Sequence, residues 1–176
     1  LMKEQSPTGI SSVVSDTWDF WTLVTDYLPQ LKNEIMARDG TLVIRPDSGD
    51  PVKILTGYKI SPVSEYSELF QTQDEAEKDV LANGYEAYRW NGEYFGFESN
   101  DFENRGFDGE QAIQLMLCEV KGLIECLWDT FGGTTTSKGF KLLDEHIGAI
   151  YGDAITLKRQ RQILQRLMDK GFTSKV

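Results

Sequence analysis

Histidine is nearly missing from this sequence: His146 is the only one in 176 residues, and there are just two cysteines, Cys118 and Cys126. Lone residues eight apart give no paired spacing for zinc or disulfide-exchange chemistry, so the cysteines read as buried thiols in a reducing compartment. Long apolar runs are absent too, and Leu1-Met2-Lys3-Glu4-Gln5-Ser6 has no hydrophobic stretch of the signal-peptide kind. The expectation is a cytoplasmic protein with no membrane segment. Positive charge is also scarce, 18 Lys plus Arg against 28 Asp plus Glu, which argues against nucleic-acid binding. A phosphate-cradling P-loop is excluded as well. Gly132-Gly133-Thr134-Thr135-Thr136 is not followed by Gly-Lys-Ser or Gly-Lys-Thr, and is expected to be a flexible connector.

The acidity is local. Between Ser61 and Glu110 there are 13 acids against Lys78, Arg89 and Arg105, so that segment holds the whole net charge of −10. Within it, Gln73 to Asn83 is a candidate helix ended by Gly84, and Tyr85 to Phe97 sets aromatic arms around Asn91-Gly92, a strong hairpin signal. Two readings stay open for this segment. It is a solvated decoration, or its exposed hairpin aromatics anchor a basic partner or a second subunit.

What is present on either side points to chemistry. Thr41-Leu42-Val43-Ile44 is an apolar run of strand length, followed by Arg45-Pro46-Asp47-Ser48-Gly49-Asp50-Pro51. Pro46 favours an extended Arg45, Gly49 turns the chain, and Asp50-Pro51 has the form of an N-cap and first helical residue. A guanidinium, a carboxylate and a helix N-terminus with free N–H groups are thereby expected together, an arrangement suited to phosphate and ribose. A capped turn with a surface ion pair is the plainer alternative.

The same grammar recurs. Ile10 to Ser15 is a strand ending at Asp16 before a helical stretch, Thr17 to Leu31; Ile147 to Tyr151 ends at Gly152-Asp153, with Thr156 able to cap the next helix. Ligands of parallel α/β sheets gather at the carboxyl ends of strands, so Asp16, Asp47 and Asp153 should converge.

These residues carry a resemblance. Ser12-Val13-Val14-Ser15-Asp16, Ile44 to Pro51, Ser137-Lys138-Gly139-Phe140-Lys141-Leu142-Leu143 and Ile150-Tyr151-Gly152-Asp153 occur in the order found in nicotinamide phosphoribosyltransferases. The chain resembles the central part of that family. The resemblance implies an α/β fold, partially β/α-barrel-like (type II phosphoribosyltransferase), with an acidic α+β insertion. Residues 8–57 would be the first two β/α units, 58–112 the insertion with its hairpin, and 113–176 the continuation. Because a closed barrel needs about 250 residues, a truncated chain, inactive alone, is expected.

The implied reaction transfers a phosphoribosyl group from phosphoribosyl pyrophosphate to nicotinamide, giving nicotinamide mononucleotide and pyrophosphate. Arg45 would grip pyrophosphate, Asp47 would favour the ribosyl cation or orient its hydroxyls, and Gly152 and Asp153 would line the ribose-phosphate pocket. Asp16 would orient a histidine lying upstream. Mg2+ would accompany the pyrophosphate, ATP would be a coupled activator, no protein metal site is implied, and the complete enzyme would be a homodimer. Gly148 departs from the family, which often has an arginine there. A nicotinate or quinolinate phosphoribosyltransferase, or a non-catalytic remnant binding a partner through the acidic insert, are the alternatives.

The other elements read as structural. Val120, Leu123, Ile124, Leu127, Trp128 and Phe131 follow helical spacing and form a core stripe. Lys158, Arg159, Arg161, Arg166 and Lys170 make the last helix basic on a solvated face, and His146 is a turn or pocket-rim residue.

Overall fold

A computed structural model describes residues 8–15, 19–98, 112–152 and 155–175. The chain is mixed α/β with small sheets and divides into two compact units, Leu1–Gly57 with Lys121–Val176, and Tyr58–Val120. No closed barrel is formed among the described residues.

In the first unit, strands β1 (Ser11–Val14), β2 (Leu42–Arg45) and β8 (Ile147–Ala149) form a parallel sheet with β2 in the centre. The register sets Val14 beside Arg45 and Val43 beside Gly148. Since side chains alternate along a strand, Leu42, Ile44 and Ile147 share one face, and all three are buried. Ser12, Val14, Val43, Arg45 and Gly148 share the other face, which is open: Val14 is exposed, as is Ile150 just beyond the strand.

Helices α1 (Phe20–Thr22), α2 (Leu28–Gln30) and α3 (Lys32–Met36) follow β1. The single helix expected over 17–31 is therefore broken. It starts at Phe20, capped by the Asp19 carboxylate, widens into a π-helical stretch at Leu23–Tyr27, and runs on to Met36. The Thr25 hydroxyl donates to the Trp21 carbonyl within this run, a side-chain bond of the kind that bends helices. Helix α4 (Pro51–Thr56) follows β2 as expected, with Asp50 as N-cap and Gly57 (φ 74°) as C-cap.

The stripe expected from Val120 to Phe131 is two helices, α6 (Leu117–Lys121) and α7 (Leu123–Phe131). Gly122 separates them at φ 81°, and a Cβ there would overlap the backbone of Thr56 and Gly57. Leu123, Ile124, Leu127 and Phe131 are buried as the spacing required. Gly133–Thr135 is not a flexible connector: it is strand β6, antiparallel to β7 (Lys141–Leu143). The β-branched threonines suit a strand, and Gly133 leaves room for the backbone of Leu142 and Leu143.

Helix α8 (Leu157–Asp169), capped by the Thr156 hydroxyl, buries Ile163 and Leu167. Its basic face is not wholly solvated, contrary to expectation. Arg166 Nη1 donates to the Gly57 carbonyl at 3.0 Å, and Lys170 Nζ donates to the Lys121 carbonyl at 2.7 Å and pairs with Glu125 at 2.9 Å. Phe172 then runs parallel beside Lys141. Cys118 and Cys126 are buried, and no described helix is long and apolar enough to cross a membrane.

The second unit has an antiparallel sheet of β3 (Ala87–Trp90), β4 (Glu93–Gly96) and β5 (Ile113–Leu115). Asn91 (φ 51°) and Gly92 (φ 83°) make the tight turn that their residue types favour. Helix α5 (Gln73–Ala82) starts in a Thr72–Glu75 capping box and lays Ala76 and Val80 on a core of Tyr66, Tyr88 and Phe97. Tyr88 is fully buried, its hydroxyl accepting from Gln73 and donating to Glu77. Trp90 and Phe95 pack against the same core, and Tyr94 against Ala87, Leu115 and Val120. The hairpin aromatics thus point into the unit's own interior and are not the exposed anchors one reading required.

Candidate functional site

The carboxyl ends of β1, β2 and β8 lie on one side of the parallel sheet, and the Ser15 N–H to Arg45 and Ile150 N–H to Ile44 bonds carry the pairing past the strands. Arg45 is the last residue of β2 and projects from the open face. Its Nη2 lies 3.2 Å from Asp47 Oδ1, with the two side chains 40% and 37% exposed. That pair is the surface contact the plainer alternative foresaw.

Two further observations exceed it. Arg45 Nε is buried and has no hydrogen-bond acceptor among the described residues, a state that costs about 1–3 kcal/mol unless an acceptor is supplied. Gly152 also abuts the guanidinium: a Cβ at that position would lie 3.3 Å from Nη2 and 3.4 Å from Nε. A side chain there would press on the arginine, whereas glycine leaves the approach open. Arg45, Asp47 and Gly152 are thus brought together from two neighbouring strands. Asp16 and Asp153 lie outside the described residues.

The helix contribution is smaller than expected. Helix α4 has six residues, Pro51 has no N–H, the Val52 N–H is taken by the Asp50 carboxylate at 3.0 Å, and Ile54 N–H bonds to the Asp50 carbonyl. Its first turn largely satisfies itself, so the guanidinium is the stronger hydrogen-bond donor at this end of the sheet. At Gly148 a Cβ would meet nothing nearer than Thr41 Cγ2 at 3.9 Å, so crowding at the Cβ does not demand a glycine there.

His146 is not part of this end. It precedes β8, its carbonyl accepts from Leu42 N–H at the start of β2, and its Nδ1 is 2.7 Å from Asp144 Oδ1. Burial alone would raise the Asp144 carboxyl, but the His146 backbone N–H, ring contact and charge outweigh it and hold it below the usual range. His146 is a turn residue at the opposite, amino-terminal end of the strands.

Tyr151 is a residue the sequence reading gave no role. Its hydroxyl is 2.9 Å from the Ser48 carbonyl and 3.0 Å from that of Gly49, crossing from the end of β8 to the turn after β2. Its place beside Gly152 in a family-like motif was the available signal.

A parallel α/β sheet whose strand ends bring together an arginine, an aspartate and a bare glycine backbone defines the α/β class of protein in which ligands gather at the carboxyl ends of the strands. The chain belongs to the nicotinate phosphoribosyltransferase (NAPRTase) family, whose profile matches residues 2–176. It is 36% identical over 180 residues to a nicotinamide phosphoribosyltransferase of Acinetobacter baylyi, a match covering 99% of this chain and 25% of the relative. A nicotinamide phosphoribosyltransferase of Mycoplasma pneumoniae is 28% identical over 171 residues, covering 97% of this chain and 26% of the relative. One of Xanthomonas campestris is 44% identical over 50 residues, 28% of this chain and 11% of the relative. The chain thus spans about a quarter of the length of the first two.

Proposed function

We propose that this chain is the part of a nicotinamide phosphoribosyltransferase that holds the pyrophosphate and ribose of phosphoribosyl pyrophosphate. The observation that carries the reading is the buried Nε of Arg45, which has no acceptor among the described residues, beside Asp47 and Gly152 in a chain of this family. In the reaction, the pyridine nitrogen of nicotinamide forms a bond to the anomeric carbon as pyrophosphate leaves with the electron pair of the broken C–O bond. Positive charge grows on the ribose while negative charge collects on the leaving group. Arg45 offers a two-pronged donor to the latter, and Asp47 a carboxylate to the former or to its hydroxyls. Asp16 and Asp153 keep their expected parts, positioning an upstream histidine and lining the ribose-phosphate pocket.

Magnesium belongs to the reading as a companion of pyrophosphate. The cation would be held mainly by the substrate's own oxygens. The open face bearing Arg45 and the exposed Val14 and Ile150 supports a β/α barrel of the type II phosphoribosyltransferase kind, with that face turned inward. A cytoplasmic homodimer completes the proposal.

The test is a chimera in which this chain replaces the matching stretch of the Acinetobacter baylyi relative. It is expected to form nicotinamide mononucleotide from nicotinamide and phosphoribosyl pyrophosphate. A chimera that melts cooperatively yet makes none overturns the reading.

A further inference from the structure

We propose that Tyr151 is a positioning residue, a clasp that fixes the turn carrying Asp47 against the strand end carrying Gly152. The proposal rests on the reading of Arg45, Asp47 and Gly152 given above. The chain leaves β2 at Arg45, and the next residue, Pro46, has no N–H to give. Gly49 takes a left-handed conformation, φ 86°, and the backbone is next secured at Asp50, whose carbonyl accepts from Ile54. Between these points no backbone–backbone hydrogen bond joins Asp47, Ser48 or Gly49 to any described residue. What reaches the turn is the Tyr151 hydroxyl, shared between the carbonyls of Ser48 and Gly49.

The other end of the clasp is firm. Ile150, immediately before Tyr151, donates its N–H to Ile44 at 3.0 Å, so the tyrosine backbone is tied to β2 itself. Tyr151 therefore spans two loops from neighbouring strands, one presenting Asp47 and the other presenting Gly152 to the same guanidinium. A ligand that engages both loops gains from having their separation set before it arrives, because misplacement of about 1 Å is enough to impair a site of this kind. Phenylalanine would fill the same space and lack the donor.

The test is Tyr151→Phe in the 15N-labelled chain, titrated with inorganic pyrophosphate and followed at the Arg45 Nε–H resonance. The wild-type signal is expected to shift and saturate. In the variant the Kd should rise about fivefold, the loss expected for about one neutral hydrogen bond, with the melting temperature unchanged. Should the variant also melt earlier, the titration well below its transition decides: a purely structural role leaves the folded chain's affinity at the wild-type value. Equal affinity in the two chains overturns the clasp. A wild-type signal that does not respond overturns the Arg45 reading itself, and the clasp with it.

Discussion

An exposed arginine–aspartate pair stabilises a fold by less than about 1 kcal/mol, so changes at Arg45 and Asp47 test the proposed substrate contact with little disturbance of the fold. In the chimera, Arg45→Lys keeps the charge but loses the fork. The KM for phosphoribosyl pyrophosphate is expected to rise about tenfold. Asp47→Asn should lower kcat by a similar factor with the melting temperature nearly constant; wild-type kinetics in both would remove them from the site. These two residues were legible because charge directly after an apolar strand is written in consecutive letters. The Tyr151 clasp was not, since it joins residues 103 positions apart. The buried Nε was equally hidden, because burial of one atom in a side chain whose head is exposed leaves no trace in composition.

At the scale of elements, caps and turns were the readable part: Asp50, Thr156, Gly84 and Asn91-Gly92 all act where their chemistry placed them. Breaks imposed by distant backbone were not readable, as at Gly122 against Gly57 or Gly133 against Leu142. Glu65 shows the same limit. Its carboxylate accepts from the N–H groups of Asn91 at 2.8 Å and Gly92 at 2.9 Å, holding the hairpin turn from 26 residues away, and also from Ser67.

Burial opposes the charge of Glu65, but the bonds from Ser67, Gly92 and Asn91 outweigh it and keep its pKa below the ordinary glutamate value. A lowered folded-state pKa gives stability that is present above the unfolded-state value and is lost as pH falls through the folded one. Glu65→Ala should therefore cost roughly 1–2 kcal/mol near neutral pH. In urea titrations of the second unit the gap from wild type should narrow in acid; a gap independent of pH would show that the carboxylate's charge is not what holds the turn.

On the scale of the whole molecule, the acidic segment was visible as a charge imbalance, and the ends of its unit are fixed by contacts that no composition reveals. The chain leaves the first unit at Gly57 and returns at Lys121. The Gly57 backbone occupies the space a Gly122 side chain would need, while α8 holds both passages, Arg166 through the Gly57 carbonyl and Lys170 through that of Lys121. Replacing Tyr58–Val120 by a short Gly/Ser linker should leave the first unit folded, with cooperative melting and an unchanged Arg45 Nε–H resonance. Loss of that resonance would show that the parallel sheet depends on the excised residues.

The close approach of Gly57 and Gly122 also bears on the time course of folding. Strands β2 and β8 are neighbours in the sheet, yet pairing them directly requires closing a loop of roughly a hundred residues. If the Gly57 and Gly122 passages meet first, the remaining loop shrinks to roughly 40 residues, which lowers the closure cost by about 0.8 kcal/mol, close to fourfold in rate. Two glycines and two cations, none of them at the site, thereby shorten the search that brings Arg45 and Gly152 together.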